Sequence, residues 1–235
     1  MTALHVLRVF MGPDGRGGNP LGVFLDAPAI DPSRRQAVAA ELGFSETVWV
    51  DAIDAEADRA TIHIHTPGIE MPFAGHPCVG TSWLLRQAGR KVSVLRVPAG
   101  EVMTWQDGEL TWIRARAAWA GHLLEPHQFP TPADVDALRP GRLGDPGLYA
   151  WAWQDEAAGR LRVRFFPTHV GIIEDEATGL GAVVMGDLLG RPLTISQGVG
   201  SELYARPDTS TGLIDVGGRV ELVEVRDFAD LGAAV

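Results

Sequence analysis

The chain has 235 residues, 46% hydrophobic and 21% charged, a globular composition that excludes a disordered polar chain. Thirty acidic against twenty basic residues leave a formal charge of -10, which argues against nucleic acid as a partner, since phosphate binding needs a surplus of Lys and Arg. One cysteine excludes an internal disulfide framework and a cysteine-based metal cluster, and the longest nearly apolar run, Leu180 to Gly190, falls short of the roughly 20 residues that span a bilayer. The expectation is a soluble, cytoplasmic protein without a membrane partner, in which Met1 to Phe10 reads as a first strand and not as a signal peptide.

Val6 to Met11, Leu21 to Leu25, Thr47 to Val50 and Ala60 to His65 are predicted strands, rich in β-branched and aromatic residues. Between the second and third, Asp31-Pro32-Ser33 opens a helix that continues through Gln36 to Leu42 and stops at Gly43. A second helix starts near His76-Pro77, runs through Trp83 to Gln87 and ends at Gly89. Lys91 to Val97, Gly100 to Trp105 and Leu110 to Ala115 are three more strands, separated by the Pro98-Ala99-Gly100 and Asp107-Gly108 turns. The proline-rich stretch from Ala120 to Asp145 is read as a crossing with at most a short helix from Pro132 to Leu138. Strands resume at Leu148 to Trp153 and Leu161 to Phe166, a helix covers Thr178 to Leu189, and four further strands end near Val225. The expected division is residues 1–118 and 119–235, with the last strands packing back on the first part.

One pattern occurs twice. A strand ends at Thr66-Pro67, an acidic loop follows, and Gly75-His76 opens a helix. Later a strand ends at Phe166-Pro167, an acidic loop follows, and Thr178-Gly179 opens a helix. A true duplication would place the two helix starts opposite each other.

The candidate chemical residues cluster around these starts. Gly75 and His76 open a helix whose free N–H groups and positive dipole end suit a carboxylate; His76 either donates to an anion or moves a proton near neutral pH, or it merely caps the helix and contacts solvent. Glu174, Asp175 and Glu176 precede the other helix, where acids ordinarily complement the dipole. Glu46, backed by Trp49, is either a solvated turn residue or a desolvated general base. His63 and His65 share a strand face, more simply a solvent-facing strand edge than a metal site, since no third ligand stands nearby. Cys78 reads as a small core residue. Gly12 to Gly18 lacks the Lys-Ser/Thr of a phosphate loop and reads as a flexible connection.

Taken together, Gly18-Asn19-Pro20-Leu21-Gly22-Val23, Phe44-Ser45-Glu46-Thr47, Thr66-Pro67, Pro72-Phe73-Ala74-Gly75-His76-Pro77, Phe165-Phe166-Pro167, Glu174-Asp175, Ala177-Thr178-Gly179 and Ser196-Gln197-Gly198 resemble the PhzF-like phenazine-biosynthesis family. The resemblance implies an α+β protein with the diaminopimelate epimerase fold: two similar halves, each a barrel-like sheet around a central helix, with the active site between them. It further implies cofactor-free isomerisation or epimerisation of a small, anionic, carboxylate-bearing ring substrate. Glu46 would then be the acid/base, with His76 and Asp175 lining the site as further catalytic residues. Ser45, Gly75, Pro77, Thr178 and Gly179 would bind substrate, and the molecule would be a homodimer without metal.

Leu180 stands where the family typically has serine, which removes an expected hydroxyl. Cys78 alone excludes a two-thiol racemase. The alternatives are a non-catalytic relative that binds a small carboxylate or a protein, and a metal-dependent hydrolase using His63 and His65.

Overall fold

The computed structural model describes residues 2–120 and 124–228. Its elements are β1 (Ala3–Met11), β2 (Gly17–Phe24), α1 (Arg35–Leu42), β3 (Glu46–Asp54), β4 (Arg59–His65), β5 (Glu70–Met71), α2 (Gly75–Gln87), β6 (Val94–Val97), β7 (Gly100–Asp107), β8 (Leu110–Arg116), β9 (Pro126–Gln128), α3 (Pro132–Ala137), β10 (Leu148–Asp155), β11 (Arg160–Phe166), α4 (Gly179–Leu189), β12 (Leu193–Gln197), β13 (Ser201–Asp208) and β14 (Leu213–Asp227). The fold is mixed α+β and mostly sheet, and no helix among the described residues is long and apolar enough to cross a membrane.

The strands join in one mixed sheet in the order β1-β2-β3-β4-β6-β7-β8-β14-β13-β12-β11-β10-β9. β14 pairs with β8 through Leu213 to Gly218 and with β1 through Arg219 to Asp227, so the path from β1 to β8 closes on itself. Three strands follow α4 where the sequence predicts four. β14 runs straight through Gly217 and Gly218, because Trp112 lies against Gly217 and Phe10 against Gly218, where no Cβ would fit. The crossing also holds a strand that the sequence hides, β9, which pairs in parallel with β10.

Local chemistry explains the helices. Asp31 accepts a hydrogen bond from Ser33 N at 2.9 Å and starts a short 3-10 turn that leads into α1, and Gly43 closes α1 at φ 67°, a left-handed position that glycine takes without steric cost. Parallel strand pairs need long crossovers. α2 connects the parallel pair β4–β6, and α4 connects the parallel pair β11–β12. α2 packs against β1, β2, β3, β7, β8 and β14 and is buried at ten of its thirteen residues. Each of its fully buried side chains, such as Val79 and Leu85, contributes roughly 1.5–3 kcal/mol. α4 packs on β13 and β14.

The two helices meet start to start. A Cβ built on Gly75 would lie 2.9 Å from the Gly179 backbone, and one built on Gly179 would lie 2.7 Å from His76 N. Only a residue without a side chain permits that approach. The repeated Gly at each helix opening thus has a physical reason: the two positive dipole ends are brought to backbone contact.

Candidate active site

Glu46 is the first residue of β3. Its strand face is shared with Val48 and Val50, which belong to the cluster enclosing α2. Trp49 points the other way, into a separate cluster with Leu4 and Phe24, so it does not back Glu46 as the sequence suggests. The apolar inner face does the desolvating instead. The Glu46 side chain is 17% exposed, with Oε2 shut off from solvent, and burial pushes its carboxyl up to about 7 against a weaker lowering by Ser45.

His76, the second residue of α2, is 4% exposed and sets Nε2 3.4 Å from Glu46 Oε2. Neither atom has a hydrogen-bond partner among the described residues. Burial lowers the imidazole to about 4, against the opposing charge of Asp175 and a hydrogen bond with the Pro20 backbone. Between these two values both groups are neutral. The contact is therefore not an ion pair at neutral pH, and His76 faces Glu46 as an uncharged ring.

Asp175 comes from the loop before α4 and is held firmly. Asn19 Nδ2 donates to its Oδ1 at 2.7 Å and also to Ala177 O at 2.9 Å, while Thr178 Oγ1 donates to its Oδ2 at 2.6 Å. Gln197 Nε2 donates to the Asp175 carbonyl and to Thr178 Oγ1, both at 2.8 Å, and its Oε1 accepts from Thr178 N at 3.1 Å. Burial and then the charge of Glu46 raise Asp175 to about 6, with Thr178, His76 and Asn19 pulling the other way. Ser45 Oγ donates to Asn19 Oδ1 at 3.1 Å, so one amide ties the residue before Glu46 to Asp175.

The acidic run before α4 is not a dipole-capping group: no acid lies in the first turn. Glu174 turns outward to Arg164 at 2.8 Å. Glu176 accepts from Val199 N and from Ser201 Oγ, and only Asp175 turns inward. Neither α2 nor α4 is capped by a side chain among the described residues, and their first intrahelical bonds start at Cys78 N and Ala182 N. The N–H groups of Gly75, His76, Gly179, Leu180 and Gly181 therefore have no partner among the described residues. Two uncapped positive helix ends converge beside two half-buried carboxyls. That arrangement can hold an anion and move a proton.

The other candidates lie elsewhere. Pro77 is buried within the first turn of α2. Cys78 is fully buried, its thiol pushed up to about 12 by burial. β4 is an inner strand between β3 and β6, so the two histidines are not on a sheet edge. His63 lies 2.5 Å from Glu70 and 3.4 Å from Asp51, and His65 is buried edge-on to Trp49. The described residues hold no group of three or more His, Cys, Asp or Glu arranged for a metal. The segment Gly12 to Gly18 is packed against Gly200 and Ser201, with Gly18 N donating to Ser201 Oγ at 2.8 Å, and is not a loose connection.

Three polar residues around these groups escape the single-residue reading. Asn19 and Gln197 sit inside quoted motifs yet carry no titratable group that would mark them. Tyr149, on β10, is fully buried with its hydroxyl unpartnered among the described residues. A lone phenol in an otherwise apolar inward register was the available signal.

The sequence matches the family model for phenazine biosynthesis-like proteins, PhzC-PhzF, over residues 12–133. A trans-2,3-dihydro-3-hydroxyanthranilate isomerase from Pseudomonas aeruginosa is 30% identical, over 88% of this chain and 89% of that protein. An uncharacterized isomerase from Mesorhizobium japonicum is 43% identical over 89 residues, which are 36% of this chain and only 30% of the relative's length. Among solved structures, a Bacillus anthracis phenazine biosynthesis protein of the PhzF family superposes with a TM-score of 0.75 at 20% identity, over 96% of this chain and 98% of that one. A hydroxyproline epimerase from Agrobacterium vitis superposes with a TM-score of 0.60 at 13% identity, over 96% and 91%. These likenesses bear on the fold, and they match the epimerase-like fold expected from the sequence.

Proposed function

The chain belongs to the PhzC-PhzF family of phenazine biosynthesis-like proteins, and from that premise we propose that it is an isomerase that moves a proton between carbons of a small, carboxylate-bearing cyclic substrate. Its own acid and base groups serve each proton step without a cofactor. The observation that carries this reading is the pairing of Glu46, buried and unbonded at Oε2, with two uncapped helix starts in backbone contact.

The substrate carboxylate sits on the free N–H groups of the paired starts, where the anion offsets two converging dipole ends. Ionised Glu46 then takes a proton from carbon. The C–H electron pair shifts into the neighbouring π system, and the resulting negative charge is held next to the helix starts. Protonated Glu46 returns the proton at a second carbon, so atoms and charge balance without a co-reactant. A carboxyl near 7 serves both directions, because its two forms are almost equally populated at neutral pH. Neutral His76 steers the carboxyl at Oε2, and Asp175, fixed by Asn19 and Thr178, accepts a hydrogen bond from a donor group of the substrate. Ser45, linked through Asn19 to Asp175, stands beside Glu46.

Glu46→Gln keeps the size of the side chain and removes the proton carrier. In deuterated solvent, wild-type protein should place deuterium on carbon in the substrate that the Pseudomonas aeruginosa relative's name specifies, and Glu46→Gln should lose this by at least about 10³-fold while still binding it. Undiminished exchange in the variant discards the mechanism, and wild-type binding without exchange makes the protein a carboxylate binder.

A further inference from the structure

The mechanism above leaves one buried polar group beside α4 without a task. Tyr149 is 1% exposed, and its hydroxyl has no hydrogen-bond partner among the described residues. The ring lies against the first turn of α4. A Cβ on Gly181 would stand 2.5 Å from Tyr149 Cε2 and 2.7 Å from its hydroxyl oxygen, so only glycine admits the phenol there. Gly181 is one of the residues at the helix start whose N–H has no partner among the described residues. Phe165, tilted against Tyr149 at 5.5 Å, offers its carbonyl to Asp175 N at 2.9 Å, which places the phenol on the same wall as that carboxylate.

We infer that Tyr149 is a substrate-binding residue whose hydroxyl donates a hydrogen bond to an oxygen of the carboxylate held at the start of α4. This rests on the proposed carboxylate site. A phenylalanine would fill the same space without desolvating a hydroxyl, and an unpaired buried hydroxyl destabilises a fold. The hydroxyl therefore works against stability in the free protein and gains its bond when an anion arrives. Burial and the nearby charge of Asp175 both raise the phenol's pKa, so the group remains a donor throughout the working pH range.

The test is calorimetric titration of wild type and Tyr149→Phe with anthranilate, a stable aromatic carboxylate, at pH 7, alongside thermal melting. Tyr149→Phe should bind about 10- to 100-fold more weakly, with a melting temperature equal to or above that of wild type. Equal affinity overturns the assignment and leaves the carboxylate site standing. A lowered melting temperature also overturns it, since the hydroxyl would then be bonded within the fold. Absence of anthranilate binding by wild type overturns the site and the assignment together.

Discussion

The two helix starts meet at one point, yet the carboxyls beside them are treated in opposite ways. Next to α2, Glu46 has an oxygen shut away from water with no hydrogen bond among the described residues, and that oxygen faces an imidazole that burial keeps neutral. Next to α4, Asp175 accepts from Asn19 and Thr178, and Gln197 braces both its carbonyl and Thr178. Burial raises both groups; hydrogen bonds from Thr178 and Asn19 restrain Asp175, while Glu46 is opposed by Ser45 alone. A carboxyl that exchanges its proton must be free of fixed donors, whereas one that orients a ligand must be held by them. Divergent surroundings for two acids in one site are the pattern expected of divided roles.

The largest way to sharpen this contrast is through stability. The Glu46 carboxyl rises from 4.5 to about 7 on folding, so the folded chain holds that proton more tightly than the unfolded chain. Its contribution is fully present below pH 4.5 and is lost as pH rises through 7. Glu46→Gln, which cannot ionise, should therefore be more stable than wild type by up to about 3 kcal/mol at pH 8 and nearly equal to it at pH 4. Asp175 has the same sign and His76 the opposite one; the part of the Asp175 rise that comes from the Glu46 charge disappears in the variant and adds to its advantage at pH 8. Urea titrations at the two pH values decide it, and a difference that does not change with pH would break the contrast.

A smaller effect is expected on the bonded side. Asn19→Ala removes a donor that lowers the Asp175 pKa, so the limb of the pH–rate profile due to Asp175 should move upward while the limb near 7 stays in place. The rate should fall about 10-fold, in line with the loss of one charge-assisted hydrogen bond. A shift of both limbs together would mean that the two carboxyls act as one unit.

Much of this was legible in the sequence because it rests on local chemistry. Asp31 and Gly43 bracket a helix by capping and left-handed geometry, and the paired Gly openings announce two helix starts. What could not be read depends on distant partners. The direction of Trp49 follows from strand alternation only once the inner face is known. β14 runs through Gly217-Gly218 because Trp112 and Phe10 cover them, and no window around residue 217 contains either aromatic. β9 is three polar or proline residues long and exists only because β10 pairs with it. The bond from Asn19 to Asp175 spans 156 positions, and an amide has no titration to betray it.

The central claim concerns a single proton, and it can be examined without any substrate. Infrared difference spectra between wild type and Glu46→Gln, taken across pH 4 to 9, isolate the carboxyl stretch of Glu46 in the folded protein. The account predicts a protonated band that titrates with a midpoint about 7. A carboxylate already fully ionised at pH 5.5 would contradict it.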